Sequence, residues 1–294
     1  MSTATIQSSP LVESFPHIPV ANTLGAWLIA VAAVFLLNGL LFHQAYRYFR
    51  EYLGDRRFLK VWVVIVVILQ TFVSALIFHT TWVYWIQSYW DPTNIFLGKS
   101  IWSINVLPIV SSITAISSQL FFIRRLWLFA PSFKPIAAIV FVLNLANLGC
   151  FTALSVRMFV EPSLISQASN KLSSNEKWAW YAAIATGVQM AGDIILTAAL
   201  FYVFRKSRTG LGHTDSMLEV MIAYVVGTGA VNGLGHIVTI VLSLACPHNW
   251  IYGLFGCIDI KLYAIGFLVA LDSRKFLAMT RCTTGAKDPN ALPS

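Results

Sequence analysis

Seven apolar stretches, each about twenty residues or longer and separated by polar or charged breaks, dominate this chain of 294 residues. They fall at approximately 24–46, 61–86, 101–123, 135–159, 178–204, 217–245 and 250–271. A bilayer core of about 30 Å is crossed by roughly 20 helical residues, so every stretch has the length of a span. Composition agrees, with 57% apolar and 11% charged residues where a soluble domain carries about 25% charged. The expected fold is an all-α integral membrane protein, a seven-transmembrane-helix bundle. Residues 1–23 are expected to form an extracellular tail, 24–275 the bundle, and 276–294 a disordered cytoplasmic tail. The same figures exclude wholesale disorder, a collagen-like fibre and a disulfide-rich secreted scaffold.

The third stretch has the weakest hydropathy, since it holds Ser103, Asn105, Pro108, Ser111, Ser112, Thr114, Ser117, Ser118 and Gln119. Its periodicity still predicts a helix. Trp102, Val106, Ile109, Ile113, Ile116 and Leu120 form one lipid-facing stripe, while Asn105, Ser112 and Gln119 share another face.

Orientation follows from the distribution of Lys and Arg. One side collects Arg47, Arg50, Arg56, Arg57, Lys60, Arg124, Arg125, Lys134, Arg205, Lys206, Arg208, Arg274, Lys275, Arg281 and Lys287. The other has Lys99, Lys171 and Lys177. The N-terminus is therefore expected outside and the C-terminus in the cytoplasm. The formal charge of +8 reads as this topology signal and as a grip on anionic lipid, with no nucleic-acid partner. A plasma-membrane location is expected over internal membranes. The first twenty residues lack the basic region of a cleavable signal peptide, so the first span is expected to act as its own signal-anchor. Trp82, Tyr84, Trp85, Tyr89, Trp90, Trp178, Trp180, Tyr181, Trp250 and Tyr252 mark the outer interface as an aromatic belt. The four cysteines form no visible disulfide framework. Cys282, beside basic residues, reads as a reduced thiol or a palmitoylation site.

Counting inward from each basic anchor places one polar residue per helix at a similar depth, about 14 to 20 Å in. These are Asn38, Gln70, Ser112, Asn144, Asp193, Thr228 and Lys261. Intramembrane ionisable groups cost about 2.5 to 3.5 kcal/mol each on insertion scales, so Asp193, Asp259 and Lys261 must face the bundle and find partners. Asp259 and Lys261 lie two residues apart, roughly 200° around a helix, and cannot share a face. An interhelical Asp193–Lys261 pair is expected, with Asp259 turned to Asn232 or His236. The sixth stretch presents Thr228, Asn232, His236, Thr239 and Ser243 at helical spacing, and Gly229 and Gly233 form a GxxxG pair that permits close helix approach. This candidate layer reads either as structural glue or as a ligand, proton or solute path.

From Asp193 the chain reads DIILTAALFYVFRKSRTGLGHTDSMLEVMIAYVVGTGAV, and the seventh stretch ends KLYAIGFLVALDSR. Over residues 190–278 this resembles a fungal seven-span membrane family whose conserved part is called domain of unknown function 6534. The matching positions are Asp193, Ser207, Arg208, Thr209, Gly210, Thr214, Asp215, Thr228, Gly229, Lys261, Tyr263 and Arg274; Ile265, Gly266 and Asp272 depart from its pattern. The resemblance implies a membrane location and this topology, and no activity. Physically, Arg205, Lys206 and Arg208 would stop the fifth helix at the headgroups, followed by the loop motif through Thr214 and Asp215. Ser216 with Glu219 fits a capping box opening the sixth helix.

A receptor-like protein sensing a small ligand, with a cytoplasmic signalling partner, is the expected function. The alternative is a small-solute or proton transporter with Asp193, His236 and Lys261 as relay. The third helix ends FFIRRLW without an acidic-Arg-aromatic triplet, so a receptor of this kind would use other switch residues. No paired His motif or activated nucleophile is visible, so neither catalysis, a metal nor a cofactor is expected. Lys261 invites comparison with a Schiff-base lysine, but the third helix offers no carboxylate counterion.

Overall fold

The structure, a computed structural model, describes residues 20–87, 101–129, 131–160, 173–206, 212–245 and 251–285. Among the described residues there are seven α-helices, α1 (Val20–Glu51), α2 (Arg57–Trp82), α3 (Trp102–Phe129), α4 (Lys134–Val160), α5 (Ser173–Lys206), α6 (Gly212–Ala245) and α7 (Ile251–Gly285). A π-helical turn, Val83–Gln87, extends α2, and a 3-10 turn, Pro131–Phe133, precedes α4. Six of these helices are long and apolar enough to cross a membrane, over Trp27–Glu51, Arg57–Gln87, Trp102–Leu128, Lys134–Val160, Trp180–Lys206 and Val225–Ala245. The chain is therefore a multi-pass membrane protein. Helix α7 differs in carrying Asp259, Lys261 and Asp272, and it runs on to Gly285.

Sequence neighbours are packing neighbours, from α1 against α2 through to α6 against α7, and α7 closes the ring against α1. Helix α3 leans into the ring, touching α2, α4, α5 and α7. Helices α1 and α7 run side by side in the same direction. Trp27 shares an apolar cluster with Cys257, Asn38 meets Lys261, and the Tyr52 hydroxyl donates to the Asp272 carbonyl at 2.7 Å.

Burial is inverted relative to a soluble protein. Leu36, Ile29 and Leu234 are 77%, 65% and 64% exposed, while Gln70, Thr114, Ser118 and Lys261 are fully buried. With lipid outside, apolar surface has nothing to escape from, and the helices associate through packing and internal polar bonds. The polar face of α3 obeys this rule, since Asn105, Ser112 and Gln119 are all buried and Trp102 and Ile113 are exposed. Pro108 sits inside α3 and removes the bond that the Ile104 carbonyl would otherwise accept.

One apolar cluster, around Val34, Ile77 and Val110, lies away from the basic helix ends, and two others occupy the half toward them. One joins α3, α4, α5 and α6 around Leu126, Val140, Leu200 and Phe204, and the other joins α1, α2 and α7 around Leu41, Val66, Phe267 and Leu271. At those ends basic groups lie over rings, Arg124 5.1 Å from Phe58 and Arg125 5.2 Å from Phe204. At the opposite ends Trp82, Trp180 and Tyr181 are exposed, as a belt at the headgroups requires, and Arg157 lies 5.6 Å over the Tyr181 ring. Tyr89, Trp90 and Trp250 lie outside the described residues, and of the Trp178 side chain nothing is described.

Two local expectations need correction. The backbone of α6 is already helical from Gly212, so Ser216 falls inside the helix and does not cap it. The second concerns the GxxxG pair, of which only one member is tight: a Cβ on Gly229 would collide with the Thr197 side chain of α5, whereas Gly233 has nothing within 4 Å. Gly229→Ala should therefore lower stability by about 1–3 kcal/mol through overpacking, with partial recovery on adding Thr197→Ala. Gly233→Ala should be neutral or gain up to about 1 kcal/mol from helix propensity. Thermal unfolding of the four proteins in one detergent checks both; equal losses at the two glycines would contradict this packing.

Candidate functional site

The two faces of α7 carry two separate polar clusters, because Asp259 and Tyr263 are four residues apart on one face while Lys261 points to the other. On the Lys261 face the ammonium donates to Asn38 Oδ1 at 3.0 Å, to the Gln70 carbonyl at 2.7 Å and to Ser74 Oγ at 2.7 Å. Gln70 in turn donates from Nε2 to the Ile260 carbonyl at 2.6 Å. An ammonium has three donors, and all three are used. The result ties α1, α2 and α7 together with neutral oxygens alone. It also engages every hydrogen that a Schiff-base or nucleophilic lysine would have to give up.

The other cluster holds both buried acids. Asp193 of α5 accepts from Gln119 of α3 on Oδ1 and from the Tyr263 hydroxyl of α7 on Oδ2. His236 of α6 places Nε2 3.1 Å from Asp193 Oδ2 and 2.8 Å from the Tyr263 oxygen. Its other ring nitrogen, Nδ1, lies 2.8 Å from Asp259 Oδ2. Tyr263 accepts from Gln189 Nε2 at 3.1 Å, and Gln189 accepts from Asn147 of α4. One network thus joins five helices, α3 through α7. The imidazole thus has each ring nitrogen within 3.1 Å of a carboxylate oxygen, a position suited to a proton relay and equally to an interhelical lock.

Gly235 makes the Asp259 contact possible. A Cβ there would run into the Asp259 carboxylate, so only glycine lets α7 bring its acid against α6, one residue from His236. Gly266 plays the converse part, since its missing Cβ would meet Thr228 Cγ2 at 3.0 Å.

The sequence-derived candidates divide accordingly. Asn38, Gln70 and Lys261 come together, as do Asp193, His236 and Asp259. The expected Asp193–Lys261 pair does not form; Asp193 of α5 meets the Tyr263 face of α7, whereas Lys261 projects from the opposite face and binds other groups. Of the two candidates for Asp259, His236 is the partner. Thr228 and Asn232 line a cavity beside Asp193. Ser112 is buried without a hydrogen-bond partner, and Asn144 donates only to the Val140 carbonyl of its own helix. Arg205 and Lys206 end α5 exposed, with Arg205 5.8 Å over the Phe201 ring; Arg208 and the side chains of Thr214 and Asp215 lie outside what is described. Ser74, Gln119, Asn147 and Gln189 were not singled out as site residues. Ser74 lies four residues after Gln70 and Gln119 lies on the polar face of α3, so helical spacing from chosen residues would have found both. Among the described residues, no group of three or more His, Cys, Asp or Glu is arranged to hold a metal ion.

If the two clusters are distinct, a double-mutant cycle will separate them. Asp193→Asn and His236→Gln should couple by about 1–3 kcal/mol, whereas Asp193→Asn and Ser74→Ala should add to within about 0.5 kcal/mol. Unfolding free energies of the single and double variants in one detergent check this, and equal coupling in both cycles would contradict the division.

Residues 189–276 match the model of a family described as a family of unknown function, DUF6534. No curated protein and no solved structure matches the chain. The matched segment contains Asp193, His236, Asp259, Lys261 and Tyr263, while Gln119, Asn38 and Ser74 come from outside it. In this part of the chain the protein is thus similar to a family defined by sequence and not by activity.

Proposed function

We propose that the chain is a receptor-like membrane protein with seven spans, the start of α1 outside and the end of α7 in the cytoplasm, which senses a small polar ligand from the outer side. Support for the seventh crossing comes from α7 lying alongside α1 from Trp27 to Tyr52. A helix in contact with a spanning helix at both its ends and its middle traverses the same depth. Because α1 and α7 run in the same direction, the two ends of the bundle's chain open onto opposite compartments.

The observation that carries the sensing role is that, among the buried polar atoms lacking partners, five lie on the outer side of the Asp193 cluster on α3, α4 and α6. These are Asn105 Oδ1, Ser111 Oγ and Ser112 Oγ of α3, Ser155 Oγ of α4 and Thr239 Oγ1 of α6. Each such atom costs about 1–3 kcal/mol if left unmade. A polar ligand that satisfies several of them gains that energy, and its position beside α3, α4 and α6 sets it directly above the lock that those helices share with α5 and α7. Ligand binding then biases the lock, and the inner ends of α5 and α6, flanked by Arg205, Lys206 and Arg208, transmit the change to a cytoplasmic partner.

A second reading, proton-linked transport of a small solute, draws on one observation of its own, the imidazole held between two carboxylates. Proton flux in proteoliposomes that is lost in Asp193→Asn would favour it.

The receptor reading is tested without knowing the ligand. In a background with the four native cysteines replaced, spin labels at Trp127 of α3 and Ala223 of α6 report the separation of the inner helix ends. His236→Leu removes the bridge between the acids and should shift that separation by several ångströms in the folded protein. An unchanged distance distribution would remove the lock from the mechanism.

A further inference from the structure

A cavity of about 40 Å³ lies immediately on the basic-end side of Asp193, between α3, α5, α6 and α7. One water needs about 10–15 Å³ of such space, so there is room for a small ion with a water or two. Its polar lining consists of Gln119, Asp193, Thr197, Thr228, Asn232 and Tyr263, with Gly229 and Gly266 also on its wall. Gln119 is only 2% exposed, and its Oε1 has no hydrogen-bond partner although its Nε2 holds Asp193. A buried amide oxygen with no donor, on a residue that lines a cavity of this size beside a carboxylate, is suited to be a ligand.

We propose that this cavity binds one monovalent cation of sodium size, held by Asp193, Gln119 Oε1, Asn232 and Thr228. Charge favours a cation over water alone. The cluster contains two acids and a single imidazole, so with both acids ionised it keeps at least one uncompensated negative charge. Lys261 does not supply the missing charge within the cluster, since its three donors are spent on the opposite face of α7. The donors are all oxygens, the set preferred by hard cations. A divalent ion normally takes six to eight oxygens, several from carboxylates, whereas Asp193 is the one acid lining this cavity. Bound there, the cation fixes the Asp193 carboxylate and with it the joint between α3, α5 and α7. The regulatory consequence, a lock reinforced by the cation, rests on the receptor reading given above; the binding itself does not.

The experiment uses the full chain in phospholipid nanodiscs, with NaCl exchanged for choline chloride at constant ionic strength, choline being too large for the cavity. Sodium should raise the thermal unfolding midpoint in proportion to the logarithm of its concentration above the dissociation constant, by about 3 °C at ten times that constant. Broadening of the sodium-23 resonance by the protein should saturate over the same range. Thr228→Val and Asn232→Ala, neither of which removes a bond within the Asp193 network, should weaken the apparent sodium affinity at least tenfold while leaving the midpoint in choline within about 2 °C. Equal midpoints in sodium and choline, the result expected of a water-filled cavity, would overturn the proposal, as would a sodium response untouched by both variants. Failure of the spin-label experiment would leave this result intact, so the two readings fail separately.

Discussion

An ionisable side chain immersed in lipid costs about 2.5 to 3.5 kcal/mol on insertion scales, and α7 carries two of them two residues apart. That constraint places α7. Two charges some 200° apart on one helix cannot both be relieved by a single neighbour, so the helix must be enclosed on both sides. The ring provides this: α1 and α2 meet the Lys261 face, α5 and α6 meet the Asp259 and Tyr263 face, and α3 leans in from the centre. Asp259 is 4% exposed and Lys261 fully buried. The one described helix that falls outside the six long apolar spans is therefore enclosed by protein on both of its polar faces.

Association between helices in lipid gains little from the hydrophobic effect and depends on close packing and polar bonds. The glycines link these two contributions. At Gly235 the absence of a side chain admits the Asp259 carboxylate, and at Gly229 it admits the side chain of Thr197. Both positions lie on α6, so the same helix is drawn against α5 on one side and α7 on the other. His236, one residue from Gly235, then reaches acids on both neighbours. The polar cluster exists because the backbones approach, and the approach is held in register by the polar cluster.

Much of this was legible in the chain. The positions of all seven helices follow from runs of apolar residues, and the polar face of α3 follows from helical spacing despite its low hydropathy. The opposite facing of Asp259 and Lys261 follows from 100° per residue alone. The partner of Lys261 did not follow, because spacing within a helix says nothing about its rotation relative to its neighbours. Charge complementarity suggested Asp193, yet the lysine is satisfied by Asn38, Ser74 and a carbonyl of α2, three neutral acceptors that a net-charge argument passes over. Asp259, in contrast, is expected against Asn232 or His236 because only one helix face of α6 is polar, and of the two it meets His236. The start of α6 was misplaced for a different reason. Ser216 and Glu219 satisfy a capping pattern, but a pattern marks where a helix can start and does not prevent one from starting at Gly212.

The two clusters differ in a way that bears on what each does. Structural glue is complete in one state: every donor has its acceptor, and no proton or ion need come or go. The Lys261 ammonium meets that description, with three donors and three acceptors, although Gln70 beside it also keeps its Oε1 idle. The Asp193 cluster does not. Its two acids share one imidazole, the Tyr263 hydroxyl is bound to both Asp193 and His236, and Gln119 keeps one oxygen idle. A group of this kind offers its proton more than one site among Asp193, His236, Asp259 and Tyr263. Incomplete compensation within a low-dielectric interior is costly as glue, and that cost is the physical reason to look for a function at this cluster and not at the lysine.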